Sequence, residues 1–225
     1  VMLGAYSETA LSGAAAVNQI QFVYQQLLLA LGDGLVIFCS QYWGKKQTGP
    51  MKKIAAIAMY AAIFIAVVLF GLVSFFPYQA VGIFTIDRPI IEAGVSYLNV
   101  IRFTYLFFAI TQILLATMRS VETVKIAFQL SVMTFFVNCG INYVLIFGHF
   151  GAPELGIVGA AIGTLTARIM EIIVLIFYIK KKDKKLQIRL SDYFSLDKQL
   201  AKDYTKITAP MVFTQGLWGV NTALQ

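Results

Sequence analysis

Apolar residues run through this chain in long uncharged stretches, not in the short amphipathic stripes of a water-soluble fold. The clearest is 54–76, where 23 consecutive positions carry no Asp, Glu, Lys or Arg. At about 1.5 Å per helical residue such a run covers a hydrocarbon core of about 30 Å, so it predicts a membrane-spanning helix. Reading the rest of the chain the same way predicts five complete spans, at 14–43, 54–76, 94–118, 126–147 and 155–179, with shorter apolar pieces at 1–6 and 207–225. A membrane β-barrel requires alternating segments of about ten residues, and none occurs. The predicted fold class is all-α: a polytopic transmembrane helical bundle.

Composition supports lipid as the main solvent. Of 225 residues, 59% are hydrophobic and 13% charged, whereas soluble domains carry about 25% charge. The net charge of +7 is explained by where the basic residues fall. Four lie in 44–53, two in 119–125 and nine in 180–206, which are alternate connections; the other connections hold only Arg88, beside Glu8, Asp87, Glu92 and Glu154. Fifteen basic residues at one face against one at the other place the basic loops in the cytoplasm by the positive-inside rule. Nucleic acid is not an expected partner; the lipid bilayer is. The two cysteines, Cys39 and Cys139, lie inside apolar segments without the paired spacing of a disulfide or zinc site. The chain opens on Val1 with no leader pattern, so it is expected to be a fragment.

Between the last complete span and the closing apolar piece, Leu196, Leu200, Tyr204 and Ile207 recur at helical spacing among charged residues. This predicts an amphipathic surface helix over 186–204, N-capped by Ser195, with Pro210 starting or kinking the next span. Polar groups inside spans are costly and point to protein or water contacts. In 126–147, Ser131, Thr134, Asn138 and Asn142 follow steps of three and four and share one face. They either tie helices together or line a cavity. Asp33, with Gln19, Gln26 and Ser40 at seven-residue spacings, marks a second polar face. Asp33 is either a coupling carboxylate or an acid paired with a neighbouring helix beside Gly32 and Gly34. Arg168 and Glu171, three apart, form a candidate structural or gating ion pair. Arg102 is expected to snorkel, His149 to sit in a solvated turn, and Gly156, Gly159 and Gly163 to permit close helix packing. No catalytic motif or compact acidic metal cluster occurs, so neither an enzyme nor a metal-ligand set is read.

Four stretches, in order, carry a family resemblance: VMLGAYSETALSGAA at 1–15, SQYWGKK at 40–46, NCGINYVLIFG at 138–148 and GAPELGIVGAAIGT at 151–164. They resemble the amino-terminal lobe of multidrug and toxic compound extrusion (MATE) transporters. That resemblance implies twelve helices in two six-helix lobes around a central cavity. Residues 1–180 then form the amino-terminal lobe, 181–205 a cytoplasmic linker, and 206–225 the start of helix seven, with a second six-helix lobe as partner. It implies an antiporter exchanging Na⁺ or H⁺ for small organic, often cationic, substrates across a cell membrane, expected to be the bacterial inner membrane, with no other cofactor. Asn138 and Thr164 match positions of the family's cation-responsive cavity, and Asn142 stands where the family commonly has an acid. The substrate and cation cavity is thus expected among Asn138, Asn142, Thr164, Asp33 and Gln26. A lipid-linked oligosaccharide flippase of the same superfamily, or an inactive transporter fragment, is the alternative.

Overall fold

The computed structural model describes residues 2–183, 185–186, 192–193 and 197–224. Its helices are α1 (Met2–Tyr6), α2 (Glu8–Gly44), α3 (Thr48–Phe75), α4 (Pro77–Gly82), α5 (Arg88–Ile101), α6 (Thr104–Ser120), α7 (Lys125–Phe147), α8 (Gly156–Lys182) and α9 (Lys198–Ala223). No strand occurs among the described residues. Four of these helices, α2, α3, α7 and α8, are long and apolar enough to cross a membrane alone, and the bent pair α5 and α6 is so when taken together. The chain is a multi-pass membrane protein.

Local sequence sets the ends. Ser7 caps α2, its hydroxyl accepting from the Ala10 N–H at 3.3 Å, and Pro77 and Pro89 sit in the first turns of α4 and α5, where a missing N–H costs nothing. Gly148 closes α7 with φ at +69°, a left-handed conformation that glycine enters without strain.

Helix α2 is the central post, packing against α3, α5, α6 and α9. Tyr24, Leu28 and Leu35 on α2, Met51 and Ile54 on α3, Leu98 on α5, and Tyr105 and Ile113 on α6 are fully buried between them. Where α2 crosses α5, a methyl on Gly13 would stand 2.7 Å from the Gly94 nitrogen, so the backbones meet directly. This small-residue contact is how helices pack when lipid supplies no hydrophobic drive. The outer faces carry exposed Phe64, Val67, Leu72, Phe136 and Ile173, the surface expected where hydrocarbon is the solvent.

The expected span 94–118 is broken. Helices α5 and α6 meet at 54° across Arg102 and Phe103. The Thr104 hydroxyl donates to the Ile101 carbonyl at 2.6 Å, and the Phe103 and Tyr105 N–H groups reach back three residues, to Val100 and Arg102. A threonine bonded back to its own helix, over a tight three-residue turn, supplies the bend. Arg102 stays half-buried at the break, its guanidinium 5.7 Å from the Phe70 ring and 5.3 Å from the Phe103 ring.

Of the surface helix expected over 186–204, the described closing part belongs to a longer element. From Lys198 to Tyr204 the chain is already the first turns of α9, which runs on unbroken through Pro210. Asp197 is its cap, accepting from the Gln199 and Leu200 N–H groups. Ser195, the expected cap, lies outside the described residues. Where the lysine-rich connections meet, Lys52 pairs with Asp192 at 2.9 Å, Lys53 with Asp197 at 3.4 Å, and Lys185 donates to the Val121 carbonyl.

Candidate functional site

Helices α7 and α8 form a hairpin drawn tight by small residues. A methyl on Gly159 would meet the Leu145 carbonyl oxygen at 2.6 Å, and one on Gly163 would run into the Asn142 carboxamide. With no side chain at 163, the Asn142 amide has room to lie inside the hairpin. Its Nδ2 donates to Asn138 Oδ1 at 2.9 Å, and Asn138 Nδ2 donates across the hairpin to Thr164 Oγ1 at 3.2 Å. The Thr164 hydroxyl spends its own proton on the Ala160 carbonyl at 3.1 Å. The result is a directed chain of dipoles, with Asn142 Oδ1 left as a buried acceptor without a partner among the described residues.

Below this chain opens a pocket of about 340 Å³, lined by Ser131, Thr134, Phe135 and Asn138 of α7 and by Thr164, Ala167, Arg168 and Glu171 of α8. Thr164, Arg168 and Glu171 follow steps of four and three, so one face of α8 supplies the wall. The Glu171 carboxylate is nearly buried and accepts from Arg168 Nη1 at 2.7 Å. The Arg168 guanidinium also lies 4.7 Å from the Phe108 ring of α6, which holds its plane. Charge in the pocket therefore cancels: one guanidinium and one carboxylate, already joined, beside neutral amides and hydroxyls. Low dielectric strengthens that pair and makes separating it costly.

The other expected site residues lie elsewhere. Asp33 reaches Arg119 of α6 at 3.5 Å, both side chains being more than a third exposed, and it does not line the pocket. Gly32 and Gly34 lie within the continuous α2 and admit Ala116 and Thr208 against it. Gln26 packs on Gly219 of α9, and Ser40 bonds back to the Val36 carbonyl. Tyr105 and Phe108 are buried in the core beside Tyr24, whose hydroxyl donates to the Tyr105 carbonyl at 2.7 Å, while Phe136 is exposed beside Phe135, itself at the pocket's edge. His149 stacks on Tyr143 with ring centroids 4.4 Å apart. Sequence spacing did not disclose the Phe108 contact or the role of Gly163, because both depend on packing between helices. No group of three metal-ligating side chains occurs among the described residues.

The chain is thus a bundle of spanning helices with a polar, charge-balanced pocket between two of them. The MatE family profile matches residues 1–144, and the chain belongs to that family, the MATE transporters. The match ends in α7, so the α8 wall of the pocket lies beyond it. Among curated relatives, the probable multidrug resistance protein NorM of Thermotoga maritima is 29% identical over 189 residues, covering 81% of this chain and 39% of that protein. The uncharacterized transporter YisQ of Bacillus subtilis is 24% identical, covering 93% and 46%. The multidrug resistance protein MdtK of Photorhabdus laumondii is 24% identical, covering 87% and 43%. The chain thus spans less than half the length of these relatives. Among solved structures, an inward-facing multidrug resistance MATE family transporter of the MOP superfamily matches with a TM-score of 0.82 at 16% identity, over 94% of this chain and 47% of that one. An outward-facing one matches at 0.79 and 16%, over 95% and 47%. These structural likenesses establish the fold.

Proposed function

We propose that the chain is the amino-terminal lobe of a cation-coupled antiporter that exports organic, often cationic, compounds across the bacterial inner membrane. In this reading residues 1–180 form the lobe, 181–205 a cytoplasmic linker and 206–225 the start of the second lobe, and the lysine-rich end faces the cytoplasm. The observation that carries it is the polar pocket between α7 and α8, lined by Asn138 and Thr164, which are hydrogen-bonded across the hairpin, with Asn142 bonded to Asn138 behind them. The multidrug names of the relatives are consistent with an organic substrate.

Asn142 carries an amide where the family commonly has an acid, and an amide cannot titrate. The carboxylate in this pocket is Glu171, held by Arg168. A cation arriving here, Na⁺ or H⁺, competes with Arg168 for Glu171, and displacing the guanidinium is the change by which ion binding reaches the substrate surface. The same neutralised pair weighs against a flippase of pyrophosphate-linked oligosaccharides, which needs unpaired positive charge.

The test is export of a cationic dye by a full-length transporter carrying this lobe, normalised to its amount in the membrane. Asn138→Ala is expected to keep near-normal abundance while weakening transport or changing substrate preference. Asn142→Asp is expected to add a pH dependence between about pH 6 and pH 8, because it puts a group that can titrate where the amide cannot. Normal efflux and selectivity in the first, with an unaltered pH profile in the second, returns these residues to a packing role. Efflux that persists after both Na⁺ and H⁺ gradients are collapsed rejects the antiport.

A further inference from the structure

A second recess lies in the same hairpin, nearer the lysine-rich end. Ile126, Leu130 and Met133 of α7 face Val174 of α8 across a groove of about 320 Å³, whose rim carries Gln129, Tyr178, Lys181 and Lys182. The volume is that of a small-ligand pocket, for which about 300–1,000 Å³ is usual. No residue lining it is acidic.

Val174, Tyr178, Lys181 and Lys182 stand at steps of four and three or four, so floor and rim are one stripe of α8. Lys181 is aimed, its Nζ lying 4.3 Å from the Phe177 ring, which places the ammonium at the groove's mouth. Three other lysines at this end have other work. Lys52 and Lys53 are in ion pairs, and Lys185 bonds the Val121 carbonyl and lies over Trp43. Lys181 and Lys182 form no salt bridge among the described residues. Lysines at the last turn of α8 are favoured by the helix dipole wherever they point. The dipole does not account for an apolar recess beneath them, open between two spanning helices at the level where their charged ends begin.

An apolar floor between two spanning helices, two ammonium groups with no salt bridge among the described residues above it, and an amide and a phenol between describe the complement of one molecule. We propose that this groove binds an anionic phospholipid of the leaflet at the lysine-rich end. The phosphate lies between Lys181 and Lys182, the glycerol region beside Gln129 and Tyr178, and one acyl chain along Leu130, Met133 and Val174. Basic pockets between helices at a membrane face recognise anionic headgroups in this way.

The chain, purified in detergent and stripped of lipid, is titrated with phosphatidylglycerol and with phosphatidylcholine of the same acyl chains, and retained lipid is read by native mass spectrometry. Phosphatidylglycerol is expected to be held more tightly. Lys181→Ala should weaken it about fivefold and the double change with Lys182→Ala about thirtyfold, as each lysine near an anionic surface contributes about that factor. Both residues are exposed, so the fold tolerates their loss, and circular dichroism confirms it. Met133→Trp, which fills the floor and leaves the lysines, should weaken binding as well, whereas paired arginine replacements should preserve it. Equal retention of the two lipids, or unchanged affinity in the double alanine variant, overturns the proposal. Competition by glycerol phosphate without acyl chains as effective as by the lipid also overturns it, since the groove would then be a phosphate site only.

Discussion

Glu171 and Arg168 are held in one pocket by a 2.7 Å contact, with Glu171 nearly buried and Arg168 about one-fifth exposed. Removing the carboxylate alone leaves a guanidinium in a site of low dielectric with an aromatic ring for company. Glu171→Leu should therefore cost about 3 kcal/mol of stability, as breaking buried pairs does, whereas the double variant Arg168→Met with Glu171→Leu should recover most of it. The thermal midpoint in detergent checks this. Equal loss in the single and double variants would show that the pair does not act as a unit. The spacing of three made this pair legible in the sequence, and the polar steps along 131–142 marked the facing stripe. That the two stripes share a pocket was not legible, because their meeting depends on Gly159 and Gly163 drawing α7 onto α8. Asp33 shows the converse: its seven-residue spacing with Gln26 places them on one face of α2 but says nothing of what faces them, and the partners are Arg119 and Gly219.

At the scale of elements, five expected spans correspond to α2, α3, the bent pair α5 and α6, α7 and α8. Hydrophobic length suffices to find such helices because lipid forces every backbone group into an internal bond. The bend at Arg102 escaped that reading, since Thr104 bonding back to Ile101 leaves hydropathy unchanged. The start of α9 was misplaced for a similar reason. Amphipathic spacing locates a face, whereas the end of a helix is set by its cap, and that cap is Asp197. Two backbone N–H groups, of Leu200 and Gln199, and then Lys53 hold the Asp197 carboxyl below the usual aspartate range. Its contribution is thus fully present above about pH 3.9, the ordinary aspartate value, and is lost as pH falls through the lower folded value. The thermal midpoint difference between the wild type and Asp197→Asn should be constant from pH 7 to pH 5 and close at more acid pH. A difference that grows on acidification contradicts this account of the cap.

For the molecule as a whole, the uneven distribution of lysine and arginine makes a prediction independent of the pocket. Cysteines placed at Lys45, Lys181 and Lys185 of a cysteine-free version should resist an impermeant thiol reagent added to intact cells. Those at Ser7, Asp87 and Glu154 should react. Labelling at 181 with none at 87 reverses the orientation and, with it, the direction in which any substrate is carried.

Helix α9 follows the linker in sequence yet is fastened to α2. The Tyr204 hydroxyl donates to the Leu31 carbonyl at 2.7 Å, and Thr208 fills the hollow left by Gly34. Two probes on this seam, one on α2 and one on α9, form a built-in yardstick. Their separation should hold steady as long as this packing is intact, so that any change in it reports the seam coming apart.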